Sequence, residues 1–219
     1  MLASVFAPQW LVDPMHSVIQ WFLSVTGSYG AAVILLTIVI KVITLPLTIY
    51  QANAMKRMQV MQPLMKELQA KYKDNPQKQQ EETMKLYKEH KANPAAGCLP
   101  MLVQMPILWA MFAVVNTFVP SGFATTFLGF NLVGLGREGA NMVLLVLSVV
   151  IMFAQTWLSM APNADRSQQV PMLIMPVFFG YITLNMRAAV ILYWVVSYIF
   201  GLVQTAIYPG FARFQKPKA

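Results

Sequence analysis

Charge is what this sequence has least of. Asp, Glu, Lys and Arg make up 11% of its 219 residues, against roughly 25% in a soluble domain. A chain that is 57% hydrophobic with a mean hydropathy of +0.54 has too little polar surface to wrap a water-soluble fold, which points to a polytopic membrane protein. Cysteine is nearly absent: Cys98 alone excludes an internal disulfide and any multi-cysteine metal site. The two histidines, His16 and His90, are far apart in the chain and form no paired ligand motif. The eight acidic residues all fall in or beside polar stretches. No carboxylate relay therefore lies within an apolar span, and proton-coupled transport usually needs one. No nucleophile elbow and no phosphate-cradling glycine loop opens a helix. The expectation is a protein that is not an enzyme and needs no cofactor or metal. The first residues, MLASVFAPQWLVDP, lack a basic n-region and the Arg/Ser-rich character of a transit peptide, so they read as neither kind of targeting segment. No internal repeat is visible.

What is present is organised around Tyr29 to Tyr50, YGAAVILLTIVIKVITLPLTIY. As a helix it spans roughly 33 Å, enough to cross a bilayer. It carries one charge, Lys41, just past its middle. A lysine facing lipid there costs about 2.5–3.5 kcal/mol on insertion scales, so Lys41 is expected to face protein or water. Before this span, residues 1–28 contain no Lys or Arg. Within them, PMHSVIQWFLSV has apolar residues at helical spacing and predicts a short amphipathic helix lying at the interface.

Residues 51–97 change character. They carry nine basic and five acidic side chains. Met58, Met61, Met65, Leu68 and Tyr72 recur at heptad-like spacing. Asp74-Asn75-Pro76 signals a turn, and Met84, Leu86 and Tyr87 offer a second seam. This predicts an antiparallel helical hairpin outside the membrane. Its charges serve either as a solvated face or as a docking arm, with Lys56, Arg57 and Lys66 as the basic candidates. Residues 98–208 supply four further apolar segments: Cys98 to Val119, a segment within Glu138 to Met160, Pro171 to Leu184, and Ala188 to Tyr208. A basic tail, 209–219, closes the chain. The expected fold is therefore all-α, with five transmembrane helices, a cytoplasmic hairpin and an N-terminal interfacial helix. The hairpin and the tail fall on one side and both are basic, so the positive-inside rule places them in the cytoplasm and the N-terminus outside.

A trail of polar side chains crosses the apolar segments. Thr37, Lys41 and Thr44 lie near one face of the first span; Gln104, Gln155 and Ser197 lie on others. Singly, such residues more often bond neighbouring helices than act. Lys41 differs, because with no intramembrane acid to pair with it needs water or carbonyls, which a polar cavity would supply. Methionines cluster around this region, as suits a surface that repacks around varied apolar partners.

Asn93-Pro94-Ala95-Ala96-Gly97-Cys98-Leu99-Pro100, followed by Gln104-Met105-Pro106, resembles the NPxxGCxPxxxQxP signature of the YidC/Oxa/Alb membrane protein insertases. LLTIVIKVITLPL, the 51–97 stretch and ILYWVVSYIFGLVQ resemble that family's first core span, hairpin and last span, covering about residues 15–208. The resemblance implies five helices around a hydrophilic groove open to the cytoplasm and lipid. It implies a bacterial plasma membrane location, and it implies insertion of hydrophobic segments by lateral release. Lys41 matches the family's groove arginine, Gln104 its groove glutamine, and Thr37, Tyr193 and Trp194 positions lining the client path. The partners implied are nascent membrane proteins, the ribosome and anionic lipids, with work alongside a Sec translocon left open. Two departures stand out: lysine in place of arginine at 41, which loses the planar donor fork, and Asn185-Met186-Arg187-Ala188-Ala189 where the family commonly has a Pro-x-Gly turn. Lacking a large outer domain and a long basic tail, the chain resembles a minimal bacterial form. A small channel or solute carrier with Lys41 as an anion site is the alternative, as is an assembly scaffold; the missing inverted repeat and the large hairpin count against the carrier.

Overall fold

A computed structural model describes residues 8–90, 99–118, 120–159 and 166–207. The Asn93–Cys98 part of the signature, the 209–219 tail and the Lys56 side chain lie outside the described residues.

Among the described residues seven helices carry the fold: α1 (Gln9–Thr26), α2 (Tyr29–Lys71), α3 (Pro76–Glu89), α4 (Leu99–Thr117), α5 (Asn141–Ser159), α6 (Arg166–Thr183) and α7 (Ala188–Ile207). Among the described residues three stretches are long and apolar enough to cross a membrane: Tyr29–Ala54, Asn141–Leu158 and Ala188–Ile207. Leu102–Thr117 and Leu173–Thr183 are apolar but shorter; at 1.5 Å per residue the latter reaches only about 17 Å.

α1 begins several residues before the predicted amphipathic stretch and buries Met15, Ile19 and Leu23 on one stripe. It ends at Gly27, whose left-handed backbone (φ 66) caps the helix through an N–H to Leu23 O. α2 departs from expectation. It does not end at Tyr50 but runs unbroken for 43 residues through Pro46 and Pro63, about 65 Å. Each proline removes a single backbone donor, and the surrounding turns hold the helix together. The first span and the first hairpin arm are thus one continuous helix. α3 follows a short turn and starts at Pro76, with Asn75 accepting a hydrogen bond from Lys78 N (3.1 Å) as its N-cap. Lys71 and Lys78 both sit over the Tyr72 ring. Lys85 reaches Glu81 (3.0 Å) and Glu82 (2.7 Å), and its hydrogen bond holds the Glu82 carboxyl below the usual range. No α3 residue is fully buried, and Met84, expected in a seam, is exposed.

The all-α expectation also omits a small hairpin in the loop after α4: β1 (Thr126–Phe127) pairs antiparallel with β2 (Phe130–Asn131). Gly30 admits it, because a Cβ there would overlap the Phe127 ring. The Asn185–Ala189 turn is stitched to the same loop: Ala188 N donates to Gly134 O (2.9 Å) and Ala189 N to Leu132 O (3.0 Å). Arg187 Nη1 donates to Val115 O (3.0 Å) at the end of α4. Side-chain and backbone bonds to neighbouring elements hold this turn where the resembling family has Pro-x-Gly.

The core is asymmetric along the bundle. Fully buried apolar residues come from α1, from Tyr29 to Leu36 of α2, from Ala110 to Val115 of α4, and from Ala188 to Ile191 of α7. These lie toward the end that carries the β-hairpin and the Asn185–Ala189 turn, while Met61 on the far half of α2 is fully buried apart from them.

Candidate functional site

Beyond that packed end the helices separate around a polar cavity of about 150 Å³, room for several waters. α2 contributes Ile40, Lys41, Thr44, Leu47, Thr48 and Gln51, a set at i, i+3 and i+4 spacing that a helix presents on one face. Gln104 and Ile107 come from α4, Gln155 from α5, and Ser197, Gly201 and Gln204 from α7. One ammonium, four carboxamides and three hydroxyls thus converge within otherwise apolar helices.

Their chemistry is that of groups waiting for water or a polar guest. Lys41 has no ion pair among the described residues. Gln155 Oε1 and Ser197 Oγ are buried with no hydrogen-bond partner among the described residues, and a buried unsatisfied polar atom is costly enough to call for one. Thr44 and Thr48 hydroxyls donate back to Ile40 O (2.8 Å) and Thr44 O (2.9 Å), which leaves their lone pairs facing outward. At the inner edge Gln104 Nε2 donates to Tyr193 Oη at 2.6 Å. That bond ties α4 to α7 where the dry core begins.

Gly201 decides how Gln155 enters this space. A Cβ at 201 would overlap the Gln155 carboxamide, so only glycine lets that side chain lie against α7.

The expected site residues divide. Lys41 and Gln104 both line the cavity, and Tyr193 joins through Gln104. Thr37 does not line it: it is fully buried one turn away, with its hydroxyl donated to Val33 O (2.7 Å). Trp194 does not line it either. Successive helical residues point about 100° apart, and with Tyr193 turned to α4, Trp194 packs on Phe179 of α6 at 4.7 Å between ring centroids. Arg57 and Lys66 sit at exposed positions on the far half of α2, well removed from the cavity. Thr48, Gln51 and Gln204 were not singled out from the sequence. Their spacing relative to Lys41 and Ser197 is the available signal; for Gln51 it becomes legible only once α2 is known to continue past Tyr50.

The family model described as 60Kd inner membrane protein matches residues 21–213. The membrane protein insertase YidC of Caldanaerobacter subterraneus subsp. tengcongensis is 40% identical over 183 residues, covering 83% of this chain and 85% of that protein. The membrane protein insertase MisCA of Bacillus subtilis is 38% identical over 213 residues, covering 94% and 80%. Among solved structures, an active YidC insertase with its first transmembrane domain resolved superposes with a TM-score of 0.69 at 26% identity, over 91% of this chain. The chain spans 47% of that longer protein.

Proposed function

This chain belongs to the 60Kd inner membrane protein family, and from that premise we propose that it is a membrane protein insertase of the bacterial plasma membrane. It receives hydrophobic segments at the polar cavity and releases them sideways into lipid. The observation that carries this reading is Lys41, a cation without an ion pair among the described residues, set among carboxamides and hydroxyls in a bundle that is packed at one end and polar in its middle. Such a cavity shortens the apolar path that a client's polar flank must cross. Transfer of the apolar segment itself into lipid is favourable and drives release. The two shorter apolar helices α4 and α6 complete a five-span bundle in this reading. The uneven span lengths match a bilayer thinned locally around the cavity, since short hydrophobic stretches thin the bilayer. α1 lies in the interface on the outer side.

Reconstitution with a short single-span client tests the function. Insertion without ion or solute flux is expected; flux without insertion would favour a channel or carrier.

Orientation follows from charge placement. The basic 51–97 segment and the tail lie in the cytoplasm, and the N-terminus and the 120–137 loop outside. A cysteine introduced at Gln77 should react with an impermeant reagent only from the cytoplasmic side, and one at Ala124 only from outside. The reverse pattern would overturn the orientation.

The far half of α2 and α3 serve recruitment of ribosomes or anionic lipid. Neutralising Lys56, Arg57 and Lys66 together should weaken ribosome or anionic-vesicle binding and flatten its salt dependence, at about 1 kcal/mol per charge near an anionic surface. Unchanged binding and salt slope would leave these charges a solvated face.

A further inference from the structure

The loop between α4 and α5 carries a feature that the cavity does not use. β1 and β2 are joined by Leu128 and Gly129, both with positive φ (51° and 86°), as a two-residue type I′ turn requires. Asn, Asp or Gly normally fill the first of these positions, because a Cβ crowds the backbone in the left-handed region. Leucine stands there instead, and it is 81% exposed. An apolar side chain is held in an unfavourable backbone well and gains little protein contact in return. Backbone outliers of this kind persist where something else uses the side chain.

The hairpin's position says what that something is. On one side Tyr29 N donates to Ala124 O (3.1 Å). On the other, Asn141 Nδ2 donates to Asn131 O (2.9 Å) and Leu135 O (3.0 Å). Tyr29 and Asn141 are the first residues of two membrane-crossing stretches, so the hairpin is tied at the level where both spans leave the lipid core. Within the first turn of α5 the outward face is already apolar, with Val143 64% exposed. Phe123 in the same loop is exposed, as are Trp10 and Trp21 on α1, and tryptophan favours the membrane–water boundary. Residues 120–136 contain no charged side chain, so placing them at the headgroup level desolvates no ion. Leu128 adds a further exposed apolar side chain to this set.

We infer that the 126–131 hairpin is a membrane-dipping finger, with Leu128 lodged in the headgroup–acyl boundary of the leaflet on its own side, where it props the packed end of the bundle against the bilayer.

Site-directed spin labelling of the full chain in vesicles of phosphatidylethanolamine and phosphatidylglycerol tests this. Single cysteines are introduced at Leu128, Phe123, Val143 and Gln77 in a Cys98→Ser background. At 128 the label should collide with oxygen nearly as often as the label at 143, and with a water-soluble nickel chelate at least threefold less often than the label at 77. The label at 123, which leaves Leu128 in place, should show the same bias. Water-like collisions at 128 overturn the finger. Protection from both reagents at 128 overturns it too, by placing the tip in a protein contact with a second copy or a client. Position 143 separates this outcome from failure of the membrane-spanning reading: if 143 is also water-like, it is the span assignment that fails. Leu128→Asn supplies a second arm. Asparagine suits the turn, so the thermal midpoint in detergent should hold or rise. The label at 123 should nonetheless move toward water in vesicles; no movement would overturn the finger.

Discussion

Lys41→Ala is expected to lower insertion of a single-span client with acidic flanks by about tenfold, while a client with neutral flanks is much less affected. Two unit charges 4 Å apart attract by about 4 kcal/mol at an effective dielectric of 20. A solvated cavity realises only part of that; a third of it, about 1.4 kcal/mol, is a factor of ten. The attraction exists only for a client that brings a carboxylate, hence the selectivity. The protein should still fold, because Lys41 lines the cavity and its loss leaves no buried partner charge uncompensated. Lys41→Arg should retain insertion, since charge and reach persist and arginine is the residue at this position in the resembling family. Paired insertion assays on two clients that differ only in flank charge decide the matter. Equal loss for both would assign Lys41 to hydrating the cavity, and no loss for either would remove it from the mechanism.

Gly201→Leu is expected to suppress insertion more than tenfold, and for acidic and neutral clients alike. Gly201 lines the cavity on α7, and any side chain there collides with the Gln155 carboxamide. A leucine would fill part of a space of only about 150 Å³ and force Gln155 aside. Overpacking of this kind costs roughly 1–3 kcal/mol where neighbours are rigid, but here the atoms first met belong to the end of a flexible side chain that borders the cavity. The loss should therefore appear in insertion rather than in the thermal midpoint. Gly201→Ala should give a milder form of the same defect. Gln155→Ala should then relieve the crowding, so that the Gly201→Ala/Gln155→Ala pair loses no more than Gln155→Ala alone. Additive losses would show that residue 201 acts independently of Gln155. The contrast between the two sites is itself a check: client-selective loss at 41 and uniform loss at 201 are the signatures of an electrostatic contact and of occupied volume.

Much of this protein was legible in the sequence because its strongest determinants are local. Scarce charge and long apolar runs are enough to require a membrane, since no backbone conformation hides so little polar surface in water. The apolar stretches predicted from run length correspond to α2, α4, α5, α6 and α7, and Asp74-Asn75-Pro76 marks the turn before α3 because proline sets the first helical position and asparagine caps it. Lys41 could be singled out because a mid-span cation without an acid to pair with is costly unless water or carbonyls reach it. Other features depend on neighbours that the sequence does not reveal. The polarity change at Tyr50 suggests an end to the first span, yet α2 runs on through Pro46 and Pro63 to Lys71. The resemblance matches Thr37 and Trp194 to positions lining the client path, and helix rotation sets both outside the cavity that holds Lys41, Thr37 in buried packing and Trp194 against Phe179. The same rotation, combined with the absent Cβ of Gly201, brings Gln155 and Gln204 into the cavity from segments far apart in the chain. Which residues are apolar, and where helices begin, follows from side-chain chemistry along the chain. Which polar groups share one space is set by how four helices are rotated about their axes, and only their packing against one another decides that.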